Sequence, residues 1–208
     1  SGFVTFTDAG NLTLDSTVTS LGTLSTTNGT VIYDGVDQTV FSDVYYNLTA
    51  GGGSGIKALG GEVTVAGDLT IDTDVTIAMD THLLTVTNIT DIDGTLAVAG
   101  DTLTLDGTSD IDGTITISTG TVDANGAFDA TDGTITFTDA GNLNLDSTVT
   151  SLGTLSDNFG TVTYDGVDQT VFSDVYYNLT AGGGSGTKTL GGAVTVANDL
   201  TIDPDVTI

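Results

Sequence analysis

DGTLAVAG, DTLTL, DGTSDI, DGTITI, STGTVDA, NGAFDA and TDGTITF follow one another without a gap from Asp93 to Phe137. Each unit joins a turn rich in Asp, Gly, Asn or Ser to a short run of alternating apolar and polar residues, and each is five to eight residues long. Alternation with period 2 marks a strand with one buried face. Three such units make a circuit of about 20 residues, the size of one coil of a parallel β-helix whose coils stack about 4.8 Å apart. The chain is therefore expected to be all-β, a parallel β-helix or β-solenoid. Tandem β-sandwich domains are the alternative, but their turns come about every 8 to 12 residues, too far apart for this pattern.

Working outward from these units, the same grammar runs in both directions and meets a duplication. Tyr33 to Gly55, YDGVDQTVFSDVYYNLTAGGGSG, recurs unchanged at Tyr164 to Gly186. At the same offset, which carries position 33 onto 164, 64 of the 76 pairs between 2–77 and 133–208 are identical. The organisation read from this is a partial repeat containing the landmark (1–77), Asp-Gly- and Thr-rich connecting rungs of the same solenoid (78–132), and a second copy of 2–77 (133–208). The 131-residue unit so defined corresponds to roughly six or seven coils, and the chain to roughly ten, read as a segment of a longer array. Short strands are also expected at Phe3 to Thr7, Leu12 to Leu14 and Thr17 to Thr19. Within the landmark, simple alternation places Val44, Tyr46 and Leu48 inward and Tyr45, Asn47 and Thr49 outward. The glycine run Gly51 to Gly55 reads as a bent surface turn, since it lacks the Gly-Lys-Ser/Thr ending and the helix of a phosphate loop.

Composition narrows the function classes. The chain has 28 acidic residues, all but Glu62 aspartate, against Lys57 and Lys188 with no arginine, for a net charge of -26. Nucleic acid and anionic membrane, which need basic surface, are excluded as partners. No apolar run approaches the ~18 residues of a membrane span, so no membrane insertion is expected. There is no cysteine for a disulfide, a thiolate ligand or a nucleophile. The 43 threonines suit the outward positions of strands, where β-branched side chains are favoured. Stacked aspartates imply a saline medium or bound cations.

Tyr33-Asp34-Gly35, Tyr46-Asn47-Leu48-Thr49, the glycine-rich turn, Leu59-Gly60-Gly61, Val63-Thr64-Val65 and Leu69-Thr70-Ile71 together resemble the "YDG" repeats of giant bacterial surface proteins, including filamentous-haemagglutinin-like adhesins. The resemblance covers both copies, about half of the chain. It implies an extracellular or cell-surface location and a non-catalytic role as the structural stalk or filament segment of an adhesin. The alternatives are a self-assembling extracellular filament subunit and a carbohydrate-binding β-helix. The corresponding partners are other copies of the chain, end to end or side by side, or surface glycans.

Candidate sites follow from residue type. The landmark aromatics Tyr33, Phe41, Tyr45 and Tyr46, with Tyr164, Phe172, Tyr176 and Tyr177, are candidate contacts for sugar rings or a neighbouring filament. Asp91, Asp93, Asp110 and Asp112, in Asp-Ile-Asp-Gly motifs, are candidate calcium ligands, although neither an EF-hand nor a β-roll calcium motif is present. Asn11, Asn28, Asn47, Asn88 and Asn178 head Asn-x-Thr sequons, while Asn142 and Asn158 lie in broken ones. Lys57 and Lys188 occupy matching positions as local counter-charges, with an isopeptide cross-link as the alternative. His82 has no companion ligands. Aspartate is spread periodically instead of clustered and no catalytic residue is assigned. Outward Thr-x-Thr ladders raise ice binding, which variable rung lengths disfavour.

Overall fold

A computed structural model describes every residue except Ser1, Asp157 and Gly184. Every strand pairing is parallel, and no helix occurs among the described residues, so none is long and apolar enough to cross a membrane. The chain winds as a three-sided β-solenoid of about eleven coils.

Face 1 stacks eight strands, from Asn11–Leu14, Thr30–Tyr33, Asn47–Ala50 and Leu69–Ile71 up to Val149–Ser151. Face 2 stacks seven, from Gln38–Val40, Gly55–Leu59 and Val75–Ala78 up to Thr134–Phe137 and Thr154–Leu155. Face 3 stacks nine, from Val44–Tyr45 and Val63–Val65 up to Thr161–Tyr164, Asn178–Ala181 and Leu200–Ile202. Stacked residues are mostly 19 to 21 apart in sequence, as for Thr95 on Thr114 and Leu48 on Leu69, and 17 apart in the tight coil from Thr30 to Asn47.

Alternation decides what is inside. In Thr114–Ile117 and Thr102–Leu105 the threonines are half-buried on the outer surface, while Ile115, Ile117, Leu103 and Leu105 are fully buried. Like residues then stack into columns, such as Val63, Leu84, Leu103, Val122 and Leu143 inside and Thr76, Thr95, Thr114, Thr134 and Thr154 outside. Each interior side chain is sealed by those above and below it, which is how coils of about 20 residues bury a continuous core. The ladders run unbroken through Ile77 on Leu96 and Ile115 on Ile135, so the connecting rungs and the copies share one core.

Equivalent strands of the two copies lie on different faces. Asn11–Leu14, Thr30–Tyr33, Asn47–Ala50 and Leu69–Ile71 belong to face 1, whereas Asn142–Leu145, Thr161–Tyr164, Asn178–Ala181 and Leu200–Ile202 belong to face 3. The count explains it. Seven steps up face 3 lead from Val63 to Leu200, and Leu69, the equivalent of Leu200, lies one face beyond Val63, so the offset between copies amounts to six and two-thirds turns.

Three expectations about strands need correction, the first being Phe3 to Thr7, of which only Phe3–Val4 is a strand. Thr17 to Thr19 form no strand, although Val149–Ser151, which overlaps their equivalents at 148–150, does. In the landmark Tyr45 and Leu48 point inward while Val44 and Tyr46 are exposed. Simple alternation fails there because Tyr45 ends a face 3 strand and Asn47 begins a face 1 strand, with Tyr46 at the corner between them.

Candidate functional site

The landmark is one coil with an unusual interior. Tyr33 ends its face 1 strand between Leu14 below and Ala50 above, and the small alanine leaves room for the ring. Tyr45 enters from face 3, and the two rings meet edge to face with centroids 6.4 Å apart. Their hydroxyls are 2.9 Å apart; the Phe41 amide donates to Tyr33 Oη at 3.1 Å and Tyr45 Oη donates to the Phe41 carbonyl at 2.8 Å. Because Tyr45 spends its proton on a carbonyl, Tyr33 must be the donor between the two hydroxyls. The ring of bonds closes on Phe41 and leaves no polar atom of the pair unsatisfied. Tyr164 and Tyr176 repeat this through Phe172, with hydroxyls 3.0 Å apart. Burial raises the pKa of all four phenols, so they stay neutral.

The corner after Tyr33 is braced from inside. Lys57 is fully buried, and its Nζ donates to the carbonyls of Gly35 and, at 3.1 Å, Val36. Burial lowers its pKa, partly offset by Asp37 and Asp34. The expected counter-charge thus acts mainly as a brace: Lys57 sits in the field of both aspartates but bonds backbone oxygens. Lys188 is equally buried and donates to Gly166 and Val167. Gln38 adds a second brace: Oε1 accepts from the Gly35 amide at 2.8 Å, and Nε2 donates to the carbonyls of Leu14 at 2.7 Å and Ser16 at 3.1 Å.

The glycine run sits directly on this corner, which explains why the YDG and Gly-rich motifs occur together. Gly52 has φ +87, and a Cβ there would collide with the Asp34 carbonyl oxygen; Gly55, at φ +132, stands in the same relation to Val36.

A surface groove opens beside the landmark. The Gln38–Val40 strand is the edge of the face 2 sheet, since the segment beneath it is not a strand. The gap of about 490 Å³ is lined by Ser16, Thr17, Asp37, Gln38, Thr39 and Phe41, among others. In the second copy the ladder breaks at the same place, between Val149–Ser151 and Gln169–Val171. Two recesses of about 400 and 330 Å³ there share Asp168, Gln169 and Thr170.

These positions reassign the candidate contacts. Tyr33, Tyr45, Tyr164 and Tyr176 are at most 1 % exposed and cannot stack on an outside partner, because their rings fill the core. Tyr46 is 36 % exposed, and Phe41, Phe172 and Tyr177 are half-buried at the surface. Phe159, which sequence reasoning passed over, is exposed 6.2 Å from Tyr177. Only their separation along the chain hid that pairing.

Asp91, Asp110 and Asp129 form one column on face 1, with Asp93 and Asp112 exposed at the next corner. This is a ladder, not a cage, and among the described residues no three such side chains are grouped to hold a metal ion. Burial first, then neighbouring carboxylates, raise the pKa of Asp91, and the exposed Asp112 is raised by slight local desolvation and by the carboxylates of Asp110, Asp132, Asp93 and Asp129. Asp146 is raised by burial and by Asp165 and Asp123, against a lowering by Lys188.

Asn11 and Asn28 are exposed. Asn47 and Asn178 are half-buried and cap the next coil, accepting from the Asp68 amide at 2.9 Å and the Asp199 amide at 3.3 Å. Asn88 is exposed, but Thr90 of its sequon is fully buried. His82 is half-buried. The outward threonine column on face 2 stays in register, so variable coil lengths are absorbed at corners.

Comparison with protein-family models, curated proteins and solved structures finds no match.

Proposed function

We propose that the chain is a segment of the stalk or filament of a large secreted or cell-surface adhesin, with a structural, non-catalytic role. The observation that carries this reading is the continuous core: adding a further copy of the unit adds coils to one stack, not a separate bead. At about 4.8 Å per coil each unit extends the rod by about 32 Å. The YDG-like residues supply the adhesin part of the reading, and the acidic surface suits a protein that must not collapse onto its neighbours. Imaging the native particle tests it. Rods whose length grows by about 32 Å per encoded unit support the stalk, and compact particles overturn it.

The groove beside each landmark favours a second role in holding neutral surface glycans, since Ser16, Thr17 and Thr39 offer hydroxyl groups beside the edge of Phe41. Titrating neutral hexasaccharides of glucose, mannose and N-acetylglucosamine against the labelled chain tests that role. Amide shifts confined to the two grooves support it, and unchanged spectra at millimolar sugar end it.

A further inference from the structure

We infer that a tandem array of this unit presents its landmark groove on three sides of the rod in rotation, returning to the same side only at every third unit. The inference rests on the reading of the chain as part of such an array. Its observation is the change of face between copies. The groove-bearing strand Gln38–Val40 lies on face 2, while Gln169–Val171 follows Thr161–Tyr164 of face 3 around the coil and so stands on the face 1 side. It heads a separate sheet with Ser185–Leu190 and Asp205–Thr207, whose counterparts Gly55–Leu59 and Val75–Ala78 both belong to face 2. Every assignable strand of the second copy is moved in the same sense, so the shift belongs to the whole unit.

The cause is arithmetic in the sequence. Six and two-thirds turns per unit leave one face over, and no local adjustment of a corner removes it without breaking the side-chain columns through Val63, Leu84 and Leu103 up to Leu200. Three units make about 20 whole turns, or about 96 Å. A partner lying along one side of the rod therefore meets a groove only about every 96 Å, whereas partners on all three sides together meet one about every 32 Å. Neighbouring grooves do not compete for one ligand's space, and lateral joining of rods through the grooves gives a bundle, not a flat sheet. Linking sites in this way fixes which pairs a multivalent partner can bridge.

Electron paramagnetic resonance distances on the full chain test the turn. Thr49 and Thr180 are equivalent outward positions on faces 1 and 3. Spin labels at Thr49→Cys and Thr180→Cys are expected about 40 Å apart, combining about 32 Å along the axis with an offset on the order of 20 Å across it. Labels at Thr76→Cys and Thr154→Cys, both on face 2 and four coils apart, should give about 19 Å and calibrate the rise. A Thr49–Thr180 separation of about 32 Å, equal to the axial rise alone, would overturn the proposal. Cryo-electron microscopy of the native rod tests its extension: a groove repeating on one side at every unit also overturns it. A native protein without a third unit removes the array reading alone and leaves the measured turn between these copies standing.

Discussion

The hydroxyl of Tyr33 lies 2.9 Å from that of Tyr45 in the interior of the landmark coil, and Phe41 supplies both the amide and the carbonyl that complete their hydrogen bonding. The most distinctive sequence feature of the unit thus holds its own coil together. Tyr33→Phe or Tyr45→Phe strands a half-buried backbone group of Phe41, and each should cost about 1 kcal/mol. The double variant should cost less than the sum, because the bond between the hydroxyls is lost only once. Urea unfolding of the four proteins reads the coupling, and strict additivity would contradict the closed ring.

Lys57 and Lys188 are the only sites for trypsin in the chain, which lacks arginine, and both are fully buried. The folded protein should therefore resist trypsin and yield fragments only once denaturant opens the coils. Acylation with an amine reagent should likewise leave both lysines unmodified under native conditions. Mass spectrometry reads both outcomes, and rapid native cleavage at either lysine would contradict the internal brace.

Thr90 and Ser109 stack on one another inside face 1, and neither hydroxyl has a hydrogen-bond partner among the described residues. Thr90→Val keeps the shape and removes a buried, unsatisfied group, so stability should rise by about 1 kcal/mol or more. A fall in the thermal midpoint would show that the hydroxyl is satisfied after all.

The raised pKa values of Asp91, Asp112 and Asp146 set the direction of the pH dependence. A carboxyl whose pKa is higher folded than unfolded binds more protons in the folded state, so stability falls as pH rises through that interval and is recovered on acidification toward the ordinary aspartate pKa of about 3.9. The thermal midpoint at low salt should be higher near pH 4.5 than at pH 7. The difference should shrink in molar salt, which screens the exposed columns. Calorimetry at the two pH values and two salt concentrations checks this, and a midpoint that drops on acidification would refute it.

Coil size, strand positions and the inside-outside assignment of the regular rungs were legible because a parallel solenoid repeats one local rule. In Thr114 to Ile117 the alternation alone says which side chains are buried, and the stacking of like on like confirms it. The rule fails where a corner falls inside an apparently continuous alternation, as at Tyr45-Tyr46-Asn47. There two inward residues are separated by a change of face that no period-2 reading can register.

The sequence by itself determined a parallel coil of about 20 residues and the near-identical duplication of 2–77 at 133–208, since both are periodicities written along the chain. Only the tertiary structure decided that Lys57 and four of the landmark tyrosines are internal and that Gln38 bridges a break in the ladder. It also decided that the second copy is turned by one face. Those outcomes depend on which residues are stacked between coils, and that register is the running sum of every corner length from Phe3 to Thr207, a long-range quantity that no single stretch contains.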